Sequence, residues 1–210
     1  MNKRISLLLF LTIGVVFIQC VTDDEMGSCG GGYEGEFFDI TGINSIQHRA
    51  RTAETYSPPL DPNTSINFEK FTRTQIDFDV FYHRGITRNQ KISKPNGQLY
   101  ALDCFINGEA GSENEKYVQI NVITEYDFNT SFKKGDTIND IIEVYSSETR
   151  QKITLNEFIQ SDTSRIQYSY LSLYLSEKPT ASNNYQINVD IQLNTGEQYT
   201  AKSPLVIFED

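Results

Sequence analysis

Residues 185–193 read YQINVDIQL, and in them Tyr185, Ile187, Val189, Ile191 and Leu193 alternate with four polar residues without a break. Apolar side chains at every second position belong to a strand with one dry face, whereas a helix would repeat every 3.6 residues. One wet and one dry face is the pattern of an antiparallel sheet lying over a core. Asn194-Thr195-Gly196 then turns the chain into EQYTA, so residues 185–202 read as a hairpin.

The same period recurs upstream. In QIDFDVFYH, Ile76, Phe78, Val80 and Tyr82 share a face opposite Asp77, Asp79 and His83. In YVQINVITEY, Val118, Ile120 and Val122 alternate with Gln119, Asn121 and Ile123. Further strands are expected at 36–41, 98–106 and 167–176. Helix is scarce: Thr154-Leu155-Asn156-Glu157 has the capping-box pattern and opens a short turn through Gln160. DTINDIIEV (136–144) offers a second such start, although its Ile and Val content suits a strand equally. There is no internal repeat. The expectation is a mostly β chain, an antiparallel β-sandwich of immunoglobulin-like type with one or two short helical turns.

The N-terminus has a different character. Lys3 and Arg4 precede an uncharged run from Ile5 to Ile18, which as a helix is ~21 Å long against a hydrocarbon core of ~30 Å. A short apolar run with a basic start is a secretory signal. No A-x-A-like site follows it; Phe17-Ile18-Gln19-Cys20 does. This resembles the lipobox of bacterial lipoproteins, in which the cysteine is acylated and becomes the new N-terminus. Phe17 and Gln19 depart from the usual Leu and small residue and are similar to the relaxed boxes of Bacteroidetes lipoproteins. MGSC at Cys29 has better small residues, but Asp23, Asp24 and Glu25 part it from the apolar run. The other alternative is an uncleaved signal anchor. The expected organisation is a signal peptide over 1–19, a tether over 20–34 lipidated at Cys20, and one domain over 35–210. More than one acyl chain on Cys20 is enough for stable anchoring. VTDDE after it resembles the acidic export signal of surface lipoproteins, and it is also a plain solvated tether. The implied location is the outer membrane, on the cell surface or the periplasmic face.

Removing residues 1–19 takes away two basic side chains and no acidic one, so the formal charge moves from −10 to −12. Such a surface repels nucleic-acid phosphates and anionic lipid alike. The membrane partner is therefore reached through the lipid. With 12 Tyr, 13 Phe and no Trp, the composition favours strands. Once Cys20 is acylated, Cys29 and Cys104 remain, and in an oxidising compartment they form either a disulfide or two free thiols. Cys104 is in phase with Leu102 and Ile106, which puts it on an apolar face if 98–106 is a strand.

Residues 102–144, LDCFINGEAGSENEKYVQINVITEYDFNTSFKKGDTINDIIEV, together with TLNEFI and the earlier CGGGYEGEFFDITGI, resemble a family of uncharacterised Bacteroidetes cell-envelope lipoproteins. The shared features are a cysteine, a Gly-Ser-acidic loop, a strand and a Gly-Asp-x-x-Asn-Asp segment. The resemblance implies a β-rich envelope domain, and it brings no activity and no catalytic residue.

Chemistry is sparse. His48 and His83 are the only histidines, and no H-x-x-x-H, G-x-S-x-G or phosphate loop accompanies them. His83 is expected at the surface. Zinc lacks clustered ligands, and no cofactor is indicated. Glu113, Glu115, Asp136 and Asp140 put oxygens in two loops without the spacing of a calcium loop, so solvated acidic loops are expected. Asp136-Thr137-Ile138 resembles the Asp-Thr-aliphatic O-glycosylation acceptor of Bacteroidetes envelope proteins, which makes Thr137 a candidate modification site.

In IQYSYLSLYL, Leu171, Leu173 and Leu175 fall on one face and Tyr168, Tyr170 and Tyr174 on the other. Exposed, such a row stacks sugars or contacts a protein, since tyrosine offers apolar area with a polar tip. Covered by a loop or by 137–160, it is a second small core, and at least two of the three are expected to be buried. The functional expectation is a non-catalytic binding or assembly module with a glycan or an envelope protein as partner. The alternatives are a glycan or peptidoglycan hydrolase working through carboxylates, and a structural subunit of a surface appendage or envelope complex.

Overall fold

The computed structural model describes residues 35–51, 57–84, 106–146, 149–161 and 166–209. Cys20, Cys29 and Cys104, the signal and the tether lie outside the described residues, as does the 98–106 strand apart from Ile106, which is exposed.

One layer of the sandwich is a five-stranded sheet. Its strands are β1 (Phe37–Ala50), β3 (Phe71–His83), β7 (Tyr170–Leu175), β5 (Ile142–Ser146) and β6 (Gln151–Thr154), in the order β1-β3-β7-β5-β6. The second layer has two three-stranded parts. The first is β10 (Gln198–Lys202), β9 (Ile187–Leu193) and β4 (Tyr117–Thr124); the second is β2 (Thr64–Asn67), β11 (Val206–Glu209) and β8 (Asn184–Tyr185). Among the described strands all pairings are antiparallel except β2 with β11. The expected antiparallel β-sandwich is therefore what forms, with one parallel pair at its margin.

The alternation at 185–193 does what its period demands. Tyr185, Ile187, Val189, Ile191 and Leu193 are buried, and Gly196 takes the positive φ of 105° that closes the turn. The hairpin extends beyond 202. Lys202 faces Asn188 and Val206 faces Tyr185, so four steps on one strand match three on the other. That extra residue is a bulge, and it bends the hairpin so that its far half pairs separately as β8 and β11.

A second bulge corrects the reading of β4. Tyr117 faces Leu193 and Gln119 faces Gln192, leaving Val118 as the extra residue. Val118 is thereby turned out, 50% exposed, and Tyr117 is turned in. The helix α1 (Leu155–Gln160) carries the expected capping box, with Thr154 Oγ1 accepting from Glu157 N–H and the Glu157 carboxylate accepting from Thr154 N–H. DTINDIIEV resolves into a single 3-10 turn at Asn139–Ile141 followed by β5.

Buried polar side chains finish the sheet edges and join the layers. On β4, Asn139 Oδ1 accepts from Val122 N–H at 2.9 Å and its Nδ2 donates to Ile120 O at 2.7 Å, so one amide imitates a neighbouring strand. On the outer edge of β1, the Glu115 carboxylate accepts from Ile40 N–H (3.0 and 3.1 Å) and from Ser112 Oγ (3.1 Å). The Tyr199 phenol of β10 donates to Ile40 O at 2.8 Å. An unpaired strand edge invites foreign strands, and these contacts occupy it.

His48 is 1% exposed and lies between the layers. Its Nε2 is 2.9 Å from Pro204 O, in the bend of the hairpin, and its Nδ1 is 2.9 Å from Thr74 Oγ1 on β3. A carbonyl can only accept, so Nε2 carries the hydrogen and Nδ1 accepts from Thr74. The Tyr185 ring packs against the imidazole, with centroids 5.3 Å apart. Desolvation lowers the His48 pKa from 6.5 to about 4, against a smaller raising effect of the bond to Pro204.

The sign of the resulting pH dependence follows. Above pH 6.5 the imidazole is neutral folded and unfolded; between 6.5 and about 4 the unfolded chain takes up the proton first, and stability falls. The loss amounts to ~3 kcal/mol by pH 4. Glu115, whose pKa burial raises, works in the opposite sense. The difference between the natural chain and His48→Gln isolates the histidine: the variant is expected to be less stable at pH 7, and the gap in urea midpoints to narrow steadily from pH 6.5 to 4. In a second test, Asn139→Leu leaves Val122 N–H and Ile120 O without partners and is expected to cost about 2–4 kcal/mol in urea unfolding.

Candidate functional site

A groove opens in the five-stranded sheet because two strands part. β5 pairs with β7 only from Ile142↔Leu175 to Val144↔Leu173. Beyond that point β7 follows β3 as far as Tyr170↔Asp77, while β5 follows β6 as far as Ser146↔Gln151. The space left between them is a groove of about 360 Å³. Buried side chains form its floor: Val144, Leu171, Ile166, Tyr117 and Phe158. The bulge at Val118 aims Tyr117 into it, and the capped helix α1 supplies Phe158, with the two ring centroids 6.0 Å apart.

Tyrosines form the rim. Tyr145 of β5 is 52% exposed, Tyr168 54% and Tyr170 43%, and Tyr174 is half-buried. The row Tyr168, Tyr170, Tyr174 was expected to be at least two-thirds covered, and the structure overturns this. Segment 137–160 instead supplies β5 and β6, which extend the same sheet and leave its outer face open. Leu171 and Leu173 take the inner face, as their phase requires, and Leu175 is partly buried. Tyr168 and Tyr170 stack, with ring centroids 5.4 Å apart and planes 23° from parallel. Tyr174 carries the Lys152 ammonium 4.1 Å above its ring centroid, a cation–π contact.

Sequence reasoning placed three of the rim tyrosines together and missed Tyr145, Arg73, Gln167 and Ser172, which line the same groove. Phase held the signal for two of them. Tyr145 is out of phase with Ile142 and Val144, and Arg73 with Ile76 and Phe78, so both belong to the outer face.

The remaining candidates are scattered. His48 is the buried strut described above. His83 is half-buried, with Nε2 3.3 Å from Asp39 Oδ1, rather than fully at the surface. Glu115 is no solvated loop residue: burial raises its carboxyl pKa, partly offset by the bonds from Ile40 and Ser112. Asp136 accepts from Lys133 N–H at 2.6 Å and Asp140 from Asn156 Nδ2 at 2.9 Å, each a loop or helix-flank contact. Among the described residues no three His, Cys, Asp or Glu side chains converge on a metal position. Thr137 is exposed, opposite Ile123 at the edge of β4. The described lining of the groove thus offers stacking faces, phenol and serine hydroxyls, one amide and one guanidinium. No family model, curated protein or solved structure matches this chain.

Proposed function

We propose that the chain is a lipid-anchored, non-catalytic binding module of the cell envelope, tethered to the outer membrane through Cys20, and that a glycan is its ligand. One observation carries the reading: a groove of about 360 Å³ with a floor of buried apolar side chains and a rim built of exposed tyrosines. Leaving three large aromatic rings in water forfeits burial energy, which a stacking ligand recovers. Sugar rings present apolar C–H faces to an aromatic ring and hydroxyls to the phenols, Ser172 and Gln167 around it. A carboxylate hydrolase needs two acidic groups flanking the bond it cleaves. The described lining holds none, so its donors and stacking faces support binding over cleavage.

The test uses the full chain in detergent on an array of bacterial, plant and host glycans. Binding is expected and Tyr168→Ala/Tyr170→Ala is expected to reduce it at least about tenfold, since base-sized ring stacking on one aromatic is worth ~1–3 kcal/mol. Unchanged binding in the double variant would remove the groove from the account. In cells, Cys20→Ala is expected to move the chain out of the membrane fraction, and an unmodified Cys20 in the mature natural chain would contradict the anchor.

A further inference from the structure

Arg73 is the one cation among the described residues that line the groove. Its Nη2 donates to Gln75 Oε1 at 3.4 Å, Gln75 Nε2 donates to Asp77 Oδ1 at 2.6 Å, and Ser45 Oγ donates to Asp77 Oδ2 at 3.1 Å. This row along β3 fixes the guanidinium through a neutral amide. The Asp77 carboxylate lies on the far side of that amide and forms no ion pair with the guanidinium. None of the described carboxylates lies within ion-pair distance of Arg73, and its Nε is a buried donor without a partner. The nearby Lys152, in contrast, is matched by Glu143 Oε2 at 3.6 Å. In a chain with 28 acidic and 18 basic residues, an arginine kept free of carboxylates beside an aromatic groove is a local reversal of sign.

We infer that the groove selects an acidic saccharide, with a sugar ring against the Tyr168–Tyr170 pair and its anionic group on the Arg73 guanidinium. The inference rests on the glycan-binding reading above and narrows its ligand class. A planar guanidinium meets a carboxylate or a sulfate with paired, charge-assisted hydrogen bonds that a neutral hydroxyl does not form. The acidic surface elsewhere disfavours long polyanions, so a short or terminal acidic unit fits better than a continuous anionic chain.

The test titrates the full chain with uronate and sulfated oligosaccharides, each beside its carboxyl-reduced or desulfated counterpart. At least one acidic probe is expected to bind about tenfold or more tightly than its neutral counterpart. Which pair shows the difference tells carboxylate from sulfate. Arg73→Gln is expected to abolish that difference by weakening the acidic probe far more than the neutral one, and Arg73→Lys to restore part of it. Raising salt from roughly 0.05 to 0.5 M is expected to weaken acidic probes only. Equal binding of acidic and neutral probes overturns the inference, and if the double tyrosine variant abolishes that binding the glycan reading stands. Binding of no probe at all overturns both. Should Arg73→Gln fail to fold, the paired probes on the natural chain still decide.

Discussion

A neutral imidazole sealed between two sheets sets the geometry of this domain. His48 on β1 meets Thr74 on the adjacent β3 and Pro204 in the bend of the long hairpin, and the Tyr185 ring packs against it. The bend exists because one extra residue enters the second strand, and a bulge exposes backbone groups that need partners. His48 satisfies the Pro204 carbonyl from the opposite layer. Phe71, Phe208, Phe128 and Tyr185 pack around that point, with ring centroids 5.2–6.4 Å apart. The two halves of the second layer thus both cover the first, and the first layer's inner face is consumed by the core. Its outer face is left to the tyrosines.

Polar residues elsewhere serve the fold in the same way. The acidic and amide side chains of the GSENE and GDTIND segments invite a reading as ligands. In the structure Glu115 and Asn139 act as substitute strands, accepting from and donating to backbone groups that an edge would leave bare. Arg73 differs: its only described hydrogen bond is a long one to an amide, and it lines open space. That contrast separates residues that close the fold from residues that face outward.

Where burial follows strand phase, the sequence was readable. Ile187 to Leu193, Ile76 and Phe78, and the inward Leu171 and Leu173 all lie where alternation put them, and the capping box of α1 is a purely local signal. Val118 was misread because a bulge shifts phase without changing composition. The short strands β2, β8 and β11 have too few residues to display a period, and they exist through pairing with distant chain. His48 gave no sign of its burial, since its partners are 26 and 156 residues away. The tyrosine row was visible but its exposure was not, because exposure depends on whether another segment lies over it. The parting of β5 from β7, which makes the groove, is a tertiary event with no local marker.

Most directly at stake is whether the rim tyrosines belong to the surface or to the core, and a thermal melt of Tyr168→Ala/Tyr170→Ala/Tyr174→Ala in the full chain decides it. Exposed substitutions usually stay within about 0.5 kcal/mol each, with up to ~1 kcal/mol more for the Lys152–Tyr174 contact. A cooperative transition shifted down by only a few degrees is therefore expected. If the rings were core, each truncation would cost ~3–5 kcal/mol, comparable in sum to the whole stability of a domain of ~5–15 kcal/mol. A variant with no cooperative melt would contradict the surface groove.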